Sequence, residues 1–139
     1  MRLDSDPPGT AEGWLNRAKG DLALSRAPLP KGAFLEDLCY HAQQAAEKAL
    51  KAVHRRKGWA FRYTHDLDEL IEGLRKKGLD VPPEIAEAVI LNSYSAEARY
   101  PSLGEPVTTE EYHEAVRLAE AVVTWTEKKS QNDFQLSSE

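Results

Sequence analysis

The sequence predicts an all-α fold, a bundle of five helices, and three observations predict it. Apolar residues recur at helical spacing in five segments, capping or breaking residues bound each segment, and no stretch reads as a credible strand. The longest pattern, 33–57, organises the others. Phe34, Leu35, Leu38, Cys39, Ala42, Ala45, Ala46, Ala49, Leu50 and Val53 follow i, i+3, i+4, i+7 spacing, and neither Gly nor Pro interrupts before Gly58. Alanines at 42, 45, 46, 49 and 52 widen its apolar side and let neighbouring helices approach closely on more than one flank. This segment is predicted to be the central helix.

The other elements follow in chain order. Residues 1–10, with Pro7, Pro8 and Gly9, read as a flexible arm. Thr10 can cap a first helix carrying Trp14, Leu15, Ala18, Leu22 and Leu24, and Pro28, Pro30 and Gly32 stop it. Residues 59–64 are a short connection rich in aromatics (Trp59, Phe61, Tyr63), either a plug for the end of the bundle or a surface for base stacking. Thr64 is expected to cap a third helix with the stripe Leu67, Leu70, Ile71 and Leu74, its acids early and its cations late, ended by Gly78. Pro82 and Pro83 open a fourth helix, expected over 84–98 and ended by Arg99-Tyr100-Pro101. TTEE at 108–111 has the shape of a capping box for a last helix, with Tyr112, Ala115, Val116, Ala119, Val122 and Val123 inward. The domain is expected over 11–128, followed by a frayed tail at 129–139.

Composition bounds the function. The 139 residues suit one domain, and 41% hydrophobic with 29% charged residues is ordinary for a globular protein. No apolar run approaches the roughly 18 residues that span a bilayer, and the start MRLDSDPPGT lacks the layout of a signal peptide. The single Cys39, on the apolar side of its helix, is expected to be a small buried hydrophobe in a reducing, cytoplasmic compartment. A net charge of −5 argues against a protein that coats nucleic acid non-specifically. Yet six cations (Lys48, Lys51, Arg55, Arg56, Lys57, Arg62) lie between 48 and 62 with no acid among them. They can offset the negative end of the helix dipole, or they can form a phosphate-binding patch.

Several residues stand out as candidates. His41, Gln44, Lys48 and Lys51 fall at i, i+3, i+7 and i+10, a polar ridge along the central helix. It is either ordinary helix surface or a groove for a phosphate, nucleotide or partner. His65 with Asp66 finishes the start of the third helix or contributes to a site. Arg99, beside Tyr100, either caps carbonyls or offers its planar fork to a phosphate. His113 is expected at the surface, and the four histidines show no ligand spacing for a metal.

The stretch LCYHAQQAAEKALKAV, a helix opening THDLDEL, the run EARYP and a last helix with alanines at helical spacing, in that order, resemble the HEPN family, the higher-eukaryote and prokaryote nucleotide-binding domain. The resemblance covers roughly residues 12 to 128 and implies an up-and-down HEPN-type helical bundle of the kind that commonly forms homodimers. It also implies a nucleotide-binding role beside a separately encoded minimal nucleotidyltransferase, in a pair that often behaves as toxin and antitoxin. Some members are metal-independent RNases with an R-x4-6-H motif. Here the sequence departs: after Arg99, positions 104 to 106 are Gly, Glu and Pro, and no other arginine has a histidine in register. RNA cleavage through a 2′-hydroxyl needs a group that titrates near neutrality, and histidine is the natural one. The expectation is therefore a non-catalytic binding protein without cofactor. The rivals are an RNase built from Arg99 with His41 or His65, and a structural dimer scaffold.

Overall fold

The computed structural model describes residues 9–96 and 106–138, with side chains through 132. It contains α1 (Ala11–Ser25), α2 (Leu35–Arg56), α3 (Leu67–Lys76), a single turn α4 (Pro83–Ala86) that runs into a 3₁₀ segment (Glu87–Tyr94), and α5 (Thr109–Ser138). No strand occurs among the described residues.

Helix ends form where the chemistry of the sequence provides for them. Thr10 Oγ1 accepts the Gly13 N–H at 3.0 Å and caps α1. At α5 the capping box closes in both directions: Thr108 Oγ1 accepts the Glu111 N–H at 3.0 Å, and Glu111 Oε1 accepts the Thr108 N–H at 2.9 Å. Gly58 and Gly78 turn α2 and α3 off with φ of 74° and 91°, a region closed to most side chains. In each case the following residue donates back across the glycine, Trp59 to the His54 carbonyl and Leu79 to that of Leu74, so the last carbonyls stay satisfied.

α2 is central. It packs against α1, α5, α3 and the 3₁₀ segment, and its five expected alanines are all buried. Ion pairs fix the directions. Arg56 meets Glu12 at one end of α1 while Lys48 meets Asp21 further along, so α1 and α2 are antiparallel. Lys19 with Glu127 and Arg26 with Glu120 make α5 antiparallel to α1 as well.

Three expectations differ from what is seen. α3 is capped by Asp66, whose Oδ1 accepts the Asp68 N–H at 2.9 Å; Thr64 instead accepts the Asp66 N–H at 3.0 Å, just before the helix. The fourth helix is one α turn followed by 3₁₀, because its buried residues Ile85, Ala88 and Leu91 recur every three positions and a threefold helix aligns them. β-branched Val89 and Ile90 weaken the α alternative there. The proposed stop at 99–101 lies outside the described residues. Finally, α5 continues past Lys128 to Ser138, about 45 Å at 1.5 Å per residue.

Candidate functional site

The polar ridge of α2 divides. His41 Nδ1 lies 3.0 Å from Asp21 Oδ1 and Lys48 Nζ lies 2.6 Å from Asp21 Oδ2, so these two side chains serve the α1–α2 contact. Lys51 goes the other way. Its side chain is only 2% exposed and pairs at 2.8 Å with Glu47, itself 3% exposed. It is therefore not part of an open groove. Two charges can be held out of water only when paired and further satisfied; Glu47 is also hydrogen-bonded by its neighbours, and Lys51 is flanked by aromatic rings. Lys51 Nζ stands over the rings of Trp14, Tyr63 and Phe61 at 5.1, 5.3 and 5.9 Å, which adds cation–π attraction.

Glu47 is the hub. Gln43 Nε2 and Gln44 Nε2 donate to its Oε1 at 3.2 and 3.3 Å, and His65 Nδ1 lies 3.2 Å from both of its oxygens. Gln43 also donates to the His65 carbonyl at 3.2 Å, and Gln44 donates to Gln43 Oε1 at 2.7 Å, so backbone and ring are held together. An ionised carboxylate only accepts, so Nδ1 of His65 carries the proton, as this hydrogen-bond network assigns it. Nε2 is then the ring nitrogen that Glu47 does not engage.

His65 lines a depression of about 570 Å³ together with Arg62, Tyr63, Thr64, Asp66, Asn92 and Ser95, within the size range of small-ligand sites. The aromatic connection feeds it unequally. Trp59 and Phe61 are partly buried against the core and plug the bundle, whereas Tyr63 is 78% exposed, its ring edge-on to His65 at 5.3 Å. Asn92 is fully committed: its Oδ1 accepts the Leu67 N–H at 3.0 Å and its amide donates to Asp66 at 2.9 Å, docking the 3₁₀ segment on the start of α3.

The cation cluster of 48–62 is largely neutralised in place. Lys48, Lys51, Arg56 and Arg62 meet Asp21, Glu47, Glu12 and Glu69, and Arg55 lies over the Phe61 ring at 5.1 Å. The dipole-balancing reading fits this better than a phosphate patch. His113 is exposed, and Arg99 and Tyr100 lie outside the described residues.

Two residues absent from the sequence reading prove central. Glu47 sits one position before the cation run, and its signal was an acid inside an alanine stripe, four residues from Lys51. His54 is buried, with Nε2 2.9 Å from the Leu70 carbonyl and Nδ1 without a partner. Gly73 makes room for it, since a Cβ there would stand 3.1 Å from His54 Cε1. Desolvation is the largest influence on His54 and lowers its pKa, and Lys77 pushes the same way.

An all-helical bundle with an alanine-rich central helix and a polar cluster at one end defines the class, and the chain belongs to the HEPN domain family, whose model matches residues 11–129. It is similar to TT1696 from Thermus thermophilus, known from its crystal structure: 32% identity, a TM-score of 0.75, and coverage of 87% of this chain and 98% of that one. It is also similar to ST0689, an archaeal HEPN homologue, with 25% identity, a TM-score of 0.69 and coverage of 86% and 97%. No curated protein matches it.

Proposed function

We propose that this HEPN protein is a non-catalytic binding subunit, a homodimer that takes a nucleotide or nucleotide-bearing substrate beside a separately encoded minimal nucleotidyltransferase. The observation that carries the reading is the depression at Tyr63 and His65. It offers an exposed ring for stacking and a hydrogen-bonding imidazole whose orientation is fixed from behind by buried Glu47. The partner and the homodimer come from the family resemblance.

The test is purification of the tagged protein from its native operon context, with mass spectrometry of what elutes and light scattering of the product. A stable complex with a nucleotidyltransferase is expected. Tyr63→Ala and a charge reversal at Arg99 should weaken it while the melting temperature stays the same. A complex unaltered by both variants removes the reading.

One observation favours a second reading, an RNase with a divergent site. A carboxylate holding Nδ1–H of a histidine is the arrangement that orients an imidazole as general base. An RNA cleavage assay separates the two. Loss of activity in His65→Ala supports the RNase, and no activity above the His41→Ala, His65→Ala double variant disposes of it.

A further inference from the structure

We infer that the depression beside Tyr63 takes the nucleoside end of its ligand, base and sugar, and leaves the phosphates in solvent. The inference rests on the binding reading above and deepens it. Three features of the same site argue for it together.

The first is charge. Around the depression Glu47 cancels Lys51 and Glu69 cancels Arg62, with Arg62 Nε and its terminal nitrogen reaching the Glu69 oxygens at 2.9 and 2.5 Å. Asp66 remains as the uncancelled charge among the described residues that line the site, and its field repels a phosphate. The second is the hydrogen bond on offer. With its Nδ1–H committed to Glu47, His65 leaves Nε2 for a ligand. A ribose hydroxyl both donates and accepts, so it satisfies Nε2 with or without a proton there. The third is the stacking surface. Lys51 holds one face of the Tyr63 ring, and the 78% exposure of Tyr63 leaves the ring open to a base. Asn92, which also lines the site, is spent on Leu67 and Asp66.

Calorimetry on the full chain tests this with adenosine, guanosine, cytidine and uridine, and with the mono- and triphosphate of whichever nucleoside binds tightest. The expected result is one affinity, within about threefold, for nucleoside, monophosphate and triphosphate, changing little between low and moderate salt. Tyr63→Ala and His65→Ala should each weaken the nucleoside about tenfold, and Tyr63→Phe should keep it. Phosphates that bind tenfold or more tightly than their nucleoside, with an affinity that falls as salt rises, would overturn the inference and leave the binding-subunit reading standing. Binding of none of these ligands would overturn both.

Discussion

Glu47 ties its neighbours together: Lys51 is paired in the core by it, Gln43 and Gln44 are ordered by it, and His65 Nδ1 is held by it. Removing it strands an ammonium. Glu47→Leu should lower unfolding stability by about 3–5 kcal/mol, measured by urea denaturation, whereas pairing it with Lys51→Met should recover much of the loss. A single variant as stable as the parent would show that the pair is not buried in solution. His54 yields a prediction with a sign. Burial lowers its folded-state pKa below the ordinary 6.5, so the unfolded chain takes up the proton first. Its contribution to stability is complete above pH 6.5 and is lost as pH falls through that value toward the folded pKa. Urea midpoints at pH 7.5 and 5.5 should therefore separate more in the parent than in His54→Gln, which keeps a donor for the Leu70 carbonyl. Equal separation would contradict this. At this scale the sequence was only partly legible. The ridge residues were identifiable by spacing, but 3.6-residue periodicity cannot say which long polar side chain turns inward. Lys51 and His41 share a helical face on paper; Glu47 behind one and Asp21 beside the other send them to different contacts.

Among elements, boundaries written in side-chain chemistry were the legible ones. Thr10, the Thr108–Glu111 pair, Gly58 and Gly78 each state a local hydrogen-bonding need that no tertiary contact overrides. Gly58→Ala should cost about 1–2 kcal/mol in a thermal or urea melt, since an L side chain at φ 74° meets its own backbone although nothing else stands within 4 Å. A neutral result would mean that α2 ends differently in solution. The region after Pro83 was less legible, for a physical reason. Its apolar positions fit both a 3.6 and a 3.0 period over so short a run, and packing of Ile85, Ala88 and Leu91 against the bundle decides between them. The same packing brings Asn92 to the α3 cap, a contact of two segments 26 residues apart that no local pattern announces.

For the molecule as a whole, the bundle was legible because its determinant is additive: an alanine-rich apolar stripe on a long helix, repeated stripes on shorter ones, and breakers between. Family membership agrees with that reading across 11–129. The charge layout could not be read the same way. Six cations without an acid nearby in sequence look like a patch, but partners arrive from α1, from within α2 and from α3. What survives this neutralisation is an open depression with an exposed tyrosine and an oriented histidine, and the proposed function depends on it. The direct measurement is an NMR titration of the isotope-labelled chain with nucleoside, following backbone amides and the His65 ring. Saturable shifts confined to 62–66, Asn92 and Ser95 are expected, with the ring responding at Nε2. Shifts centred on His41 and Lys48, or none at saturating ligand, would contradict it.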